Sequence, residues 1–196
     1  LTIYNGVSLK ITKSDSLAAV NRFKILMIAR LTPEKEHISA LRACAYLKKQ
    51  GRREFLLDLW GDGPYSSKIL DMIGKLNLKD HVNLKGFGHH IPIAEYSVGL
   101  SCCRHEAFGR STVEYMLAGL PVIGVNSGAN QELITPDLGI VYDADNDVQF
   151  GEALLKLYDD KVEIKRLGDC GKSLAEKKYS ETCYGDAILG LYDDVI

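Results

Sequence analysis

Two glutamates eight positions apart frame the stretch His105-Glu106-Ala107-Phe108-Gly109-Arg110-Ser111-Thr112-Val113-Glu114. The apolar run before it, Val98 to Cys103, has the length of a strand, and Val113 to Ala118 after it is apolar enough for a buried helix. A strand end, a glycine turn and a helix start therefore coincide. Such a junction aims unpaired helix N–H groups and a positive dipole end at one spot, which suits an anion such as a diphosphate. The peptide N–H groups of Gly109, Arg110, Ser111 and Thr112 are expected to face it, with Gly109 allowing close backbone approach. Glu106 and Glu114 flank the same spot and can accept from the hydroxyls of a hexose and a ribose. A nucleotide-sugar meets both demands. Glu114 is expected in the first helical turn, where the dipole alone would stabilise it, so its ligand role rests on its distance from Glu106. Glu106 reads as a loop carboxylate with no duty to the fold.

Arg30 and Lys35 bracket an earlier strand-to-helix turn, where two cations could neutralise a diphosphate through charge-assisted hydrogen bonds of about 1.5–3 kcal/mol each. A solvated Arg and Lys is the plainer account. Yet a lysine near a helix start opposes the dipole, so Lys35 stands where ordinary electrostatics would not put it. Other apparent motifs carry less. Gly168-Asp169-Cys170-Gly171-Lys172-Ser173 is two residues short of a P-loop and follows a helical stretch, so it reads as helix surface or turn. Gly86-Phe87-Gly88 lacks the third glycine of a dinucleotide fingerprint, and His89-His90 has no acidic or cysteine partner at metal spacing.

Strand-length apolar runs recur at Phe23–Ala29, Phe55–Trp60, Val82–Leu84, Val98–Cys103, Pro121–Val125 and Ile140–Tyr142, nearly all without polar alternation. That is the pattern of a parallel sheet covered on both faces. Helical stretches lie between them. The first has Thr32 as N-cap, Pro33 at the first helical position, and Ile38, Leu41 and Ala45 on one stripe up to Gly51. The second spans about Tyr65–Leu76, a short turn covers Pro92–Tyr96, and another helix runs from Ser111 to Gly119. The alternation predicts an α/β, Rossmann-like doubly wound sheet with its ligand crevice beyond the carboxyl ends of the strands. Arg30, Gly61, Phe87, the Glu106 turn and Gly128 all fall just after strands, at that edge.

These segments together resemble the retaining glycosyltransferases of family 4. Glu106 to Glu114 matches their E-x7-E signature, Ala29-Arg30-Leu31-Thr32-Pro33-Glu34-Lys35 their G-R-L-x-P-E-K, and Trp60-Gly61-Asp62-Gly63-Pro64 their G-D-G-P turn. Leu84-Lys85-Gly86-Phe87, Ser127-Gly128-Ala129-Asn130-Gln131-Glu132 and Tyr4-Asn5-Gly6-Val7 follow the family's order. The resemblance implies the C-terminal, donor-binding half of a GT-B enzyme that moves a hexose from a UDP- or GDP-sugar to a saccharide or lipid-linked acceptor. Arg30 and Lys35 would hold the diphosphate, Glu106 the sugar and Glu114 the ribose, with Gly61, Phe87 and Phe108 lining the donor site. No metal and no cofactor are expected. Departures are Ala29 for Gly, Glu36 for Gly, Arg110 for a small apolar residue and Asn130 for Pro. Two other readings stand beside this one: another GT-B enzyme such as a nucleotide-sugar epimerase, and a non-catalytic nucleotide-sugar-binding module.

Composition sets the bounds. At 196 residues with 46% hydrophobic and 26% charged residues, the chain suits one sizeable globular domain. A formal net charge of −2 argues against nucleic acid as a partner. Five cysteines without C-x-x-C spacing suggest reduced packing residues in a cytoplasmic protein. No apolar run reaches the roughly 18–20 residues that span a bilayer. The chain begins at Leu1, and residues 1–20 read as an interdomain linker, 21–178 as the nucleotide-sugar-binding domain, and 179–196 as a helix returning to an absent N-terminal domain. That domain would bind the acceptor and supply any peripheral contact with a membrane.

Overall fold

A computed structural model describes residues 3–8 and 22–193. All six apolar runs form strands: β1 (Phe23–Ile28), β2 (Phe55–Trp60), β3 (Val82–Gly86), β4 (Val98–Ser101), β5 (Val122–Val125) and β6 (Gly139–Tyr142). They pair in parallel in the order β3-β2-β1-β4-β5-β6, the doubly wound arrangement in which the direction of growth reverses between β1 and β4. Around them lie α1 (His37–Lys49), α2 (Ser66–Lys75), α3 (Arg110–Leu117), α4 (Asn130–Leu133), α5 (Asp147–Asp159), α6 (Lys161–Lys178) and α7 (Glu181–Asp193). Short 3-10 turns occupy Pro33–Lys35 and Ile93–Glu95.

Successive strand side chains point to opposite faces, and both faces are apolar. Ile25, Met27, Leu57 and Leu59 pack in the cluster of α1, α2 and α5, whereas Leu26 joins Val113, Tyr115 and Met116 of α3. The one carboxylate inside β2, Asp58, is satisfied: Asn83 Nδ2 and the Tyr96 hydroxyl each donate to it at 2.8 Å.

The functional consequence of the topology appears between β1 and β4. They pair only at Ile25–Val98 and Leu26–Gly99 and then part. The Ile28 N–H, released on that side, donates instead to the buried Tyr115 hydroxyl at 2.7 Å. Gly99 makes room, because a Cβ there would lie 2.3 Å from the Tyr115 ring. The crevice is thus built into the sheet.

Three expectations need correction. The first helix starts at His37, not Pro33: a 3-10 turn comes first and Glu36 breaks it with a left-handed backbone, φ 54°. Thr32 makes no side-chain cap; its hydroxyl donates to Glu34 at 2.7 Å. Glu114 lies in the second turn of α3, not the first, since α3 begins at Arg110. Among the cysteines, Cys44, Cys102 and Cys103 are buried free thiols, but Cys170 is exposed on α6 and Cys183 half-buried, so neither of the last two is a core packing residue.

The motif Gly168–Ser173 lies within α6, as helix. Of the segment read as a linker, 1–20, only 3–8 are described; 9–20 lie outside the described residues, as do the last three residues with Val195. Val7 donates to the Tyr179 carbonyl at 2.8 Å and Tyr4 packs edge-on to the Tyr179 ring, fixing this segment at the start of α7. Leu189 and Tyr192 of α7 are exposed. Among the described residues, no helix is long and apolar enough to cross a membrane.

Candidate functional site

Two glycines bring the loop after β2 against the loop after β1. A Cβ on Gly61 (φ 140°) would sit 1.9 Å from the Ala29 carbonyl oxygen, and one on Gly63 (φ 156°) 2.3 Å from that of Leu31. Only glycine fits such contacts. Leu31 N–H then donates to Asp62 O at 2.8 Å and Tyr65 N–H to Leu31 O at 3.0 Å, so the backbone carrying Arg30 and Lys35 is pinned by the G-D-G-P turn. Gly61 thereby acts through backbone packing.

From that backbone the two cations diverge. Arg30 is 77% exposed and faces Glu34 at 3.7 Å, an i,i+4 surface pair of little energetic weight. Lys35 instead reaches across the crevice and donates to Glu106 Oε2 at 2.7 Å, with side chains only 20% and 27% exposed. Burial alone would press the Lys35 ammonium down, but the hydrogen bond it donates to the Glu106 carboxylate and the nearby Cys103 sulfur outweigh it and hold the lysine above its ordinary range. The loop carboxylate expected to serve only a ligand therefore has an internal partner. Its carbonyl is also engaged, accepting from Ala129 N–H at 2.9 Å.

Beneath this pair lies a cavity of about 20 Å³ lined by Ile28, Ala29, Cys103, Glu106 and Ser111, where β1 and β4 part. It has room for about one water.

The helix start faces the same place. Gly109 caps α3 with φ 76°, accepting from Val113 N–H at 3.1 Å, and no side chain caps the turn. The N–H groups of Arg110, Ser111 and Thr112 precede that first helical bond, so the helix offers them no acceptor. Arg110 is 75% exposed and its Nε donates to Glu114 Oε1 at 3.1 Å. Burial raises the Glu114 carboxyl above its usual range, and Arg110 opposes that rise.

Thr112 contributes its N–H but not its side chain. Its buried hydroxyl donates to Ser101 Oγ at 3.0 Å, Ser101 donates to Asn130 Oδ1 at 2.9 Å, and Asn130 Nδ2 returns to the Ser101 carbonyl at 3.0 Å. This closed network joins β4, α3 and α4. A proline at 130 would lack the amide, so the departure at Asn130 has a structural use that the sequence did not disclose.

The aromatics separate. Phe87 is 72% exposed after β3, edge-on to His89, while Phe108 is half-buried and packs toward Tyr179. The loop after β6 and the start of α5 carry alternating carboxylates, Asp143-Ala144-Asp145-Asn146-Asp147, at a spacing that could suggest a metal. Asp143 accepts from Asn126 at 3.4 Å, Asp145 from Arg104 at 2.8 Å, and Asp147 from Ser39 at 2.8 Å. Among the described residues no three metal-binding side chains gather.

The sheet order, the splay of β1 from β4 and the helix start at Gly109 define a Rossmann-like α/β domain of the kind found in GT-B glycosyltransferases. Residues 10–174 match the family described as glycosyl transferases group 1, and the chain belongs to that family. It is 28% identical over 179 residues to the alpha-D-kanosaminyltransferase of Streptomyces kanamyceticus, covering 87% of this chain and 45% of that protein. To the GDP-mannose-dependent monoacylated alpha-(1-6)-phosphatidylinositol monomannoside mannosyltransferase of Corynebacterium glutamicum it is 25% identical over 175 residues, 83% of this chain and 45% of the other. The chain thus spans about half the length of these curated relatives. Among solved structures, Anabaena HepE in complex with UDP and glucose superposes with TM-score 0.86 at 23% identity, over 98% of this chain and 56% of that one.

Proposed function

We propose that this chain is the donor-binding half of a retaining glycosyltransferase, family 4 in type, which transfers a hexose from a UDP- or GDP-sugar to a saccharide or lipid-linked acceptor. An N-terminal acceptor domain completes the cleft, and the product belongs to polysaccharide or glycolipid synthesis in the cytoplasm. The observation that carries the reading is the Lys35–Glu106 pair, 2.7 Å apart over the gap between β1 and β4 and beside the uncapped start of α3. On ligand entry, the diphosphate takes the Lys35 ammonium and the N–H groups of Arg110, Ser111 and Thr112. Glu106, released, accepts from the sugar hydroxyls, and Glu114 accepts from the ribose once Arg110 swings to the phosphates. Arg30 joins the diphosphate by leaving Glu34. Phe87 and Phe108 bound the donor at its two ends.

Chemically the protein's task is electrostatic. As the bond between sugar and phosphate breaks, negative charge grows on the leaving diphosphate, and fixed donors there stabilise the transition state more than the ground state. No side-chain nucleophile is assigned and no metal. The kanosaminyl and GDP-mannose-dependent activities of the relatives, and the UDP bound in Anabaena HepE, support a nucleotide-sugar donor without selecting its base. Thermal-shift titration with UDP-glucose, UDP-N-acetylglucosamine and GDP-mannose tests the reading, because a ligand selective for the folded state raises its melting temperature. A rise with one of them, lost in Lys35→Ala, is the expected result. No rise with any at millimolar concentration would overturn it.

A further inference from the structure

Three non-glycine residues among those described have left-handed backbones: Glu36 (φ 54°), Asn77 (φ 55°) and Asp145 (φ 64°). The two that carry carboxylates meet one guanidinium. Arg104 Nε lies 3.4 Å from Glu36 Oε1, and Arg104 Nη1 donates to Asp145 Oδ2 at 2.8 Å. L side chains resist this conformation, Asp less than the longer Glu, and it persists where surroundings over-determine it. Arg104 is itself fixed, its carbonyl accepting from Ser127 Oγ at 2.7 Å. One residue therefore ties together the loops after β1, β4, β5 and β6.

Its place in the chain gives this tie a consequence for the site. Glu36 directly follows Lys35, and Arg104 stands two residues before Glu106. Lys35–Glu106 and Glu36–Arg104 thus cross the same crevice side by side with opposite polarity, at 2.7 and 3.4 Å. The backbone at Glu36 also ends the 3-10 turn that carries Lys35, with its N–H on the Pro33 carbonyl at 3.0 Å, and its carbonyl receives Ser39 N–H at 3.1 Å to start α1. If residue 36 relaxes to an ordinary backbone, the turn rotates and Lys35 leaves the crevice.

We propose that Arg104 is a positioning residue for Lys35, holding Glu36 in its left-handed conformation so that the ammonium stays over the crevice. The positioning stands on geometry alone; only its effect on ligand binding rests on the function proposed above. A glycine at 36 takes the same backbone conformation without restraint, so Glu36→Gly makes Lys35 independent of Arg104.

The test uses this chain with Arg104→Gln and with the double variant Glu36→Gly/Arg104→Gln, each checked for fold by circular dichroism. Lys35 is read by its rate of reductive methylation, followed by mass spectrometry, and the affinity for UDP or GDP, whichever the parent binds, by calorimetry. Arg104→Gln is expected to speed methylation of Lys35 several-fold and to weaken binding of that nucleoside diphosphate about tenfold, and the double variant to return both to within about threefold of the parent. A merely structural Arg104 would lower the melting temperature without changing Lys35 relative to other lysines, which overturns the proposal. So does a double variant as impaired as the single one. If the parent chain binds neither UDP nor GDP, the functional reading fails, while the methylation rates still decide the positioning.

Discussion

Glu106→Gln is expected to tighten the binding of free UDP while lowering the preference for a UDP-sugar over UDP. The Lys35 ammonium donates to the Glu106 carboxylate at 2.7 Å, with side chains 20% and 27% exposed, so on the proposed function an incoming diphosphate would first displace that carboxylate. A hydrogen bond with one ionised partner contributes about 1.5–3 kcal/mol, and the second charge of a partly exposed pair adds up to about 1 kcal/mol. Glutamine keeps an acceptor of the same shape but not the charge, so the internal competitor weakens by about 1 kcal/mol, or about fivefold in the dissociation constant of UDP. The donor sugar loses a charged acceptor for its hydroxyls at the same time, so UDP-glucose gains less than UDP or loses outright. Calorimetric titration of the parent, Glu106→Gln and Lys35→Ala with both ligands measures this. Lys35→Ala is expected to weaken both by tenfold or more. Weaker UDP binding in Glu106→Gln, or parental UDP binding in Lys35→Ala, would refute the competition; an equal gain for both ligands would remove the sugar from Glu106.

Tyr115→Phe deletes the hydroxyl that receives Ile28 N–H at 2.7 Å inside the core. Leaving that donor unpaired is expected to cost about 1–3 kcal/mol in urea unfolding, and a variant within about 0.3 kcal/mol of the parent would show that water replaces the hydroxyl. Gly61→Ala puts a Cβ 1.9 Å from the Ala29 carbonyl at φ 140°, and is expected to destabilise by more than about 3 kcal/mol, or to abolish soluble expression, with normal stability as the contrary result. His37 is buried with no well-formed hydrogen bond to either ring nitrogen, and burial together with the Lys35 charge, opposed weakly by the Thr32 backbone, lowers its pKa from 6.5 to about 4. The unfolded chain therefore takes up its proton at higher pH than the folded one, so stability is full above about pH 6.5 and falls by on the order of 3 kcal/mol as pH drops toward 4. His37→Leu is expected to flatten that part of the pH profile, and an unchanged slope would show that His37 finds a partner.

The parts of this molecule that the sequence disclosed are those set by repetition or by a single hard contact. Six apolar runs of the right length and turn signals between them suffice for a doubly wound sheet, and its order then places Lys35 and Glu106, 71 positions apart in the chain, on the same crevice. Gly61 and Gly63 were visible because a Cβ at either meets backbone at 1.9 and 2.3 Å, and Gly109 because its left-handed φ of 76° favours glycine. What stayed hidden was where polar side chains end, because that depends on partners distant in sequence. Nothing in Thr112 alone says that its hydroxyl turns inward to Ser101 and Asn130, nor in Arg30 that it lies along Glu34 while Lys35 crosses the gap. Glu36 was legible only as a residue standing where glycine is usual, and the structure converts that oddity into a left-handed backbone at φ 54° next to Arg104. The same reasoning applies to the pair at the centre of the site. A lysine and a glutamate that satisfy each other before a ligand arrives make a site whose charges are nearly cancelled in its free state. On the proposed function, binding would exchange partners instead of desolvating bare ions, the diphosphate and the sugar each releasing one half of the pair.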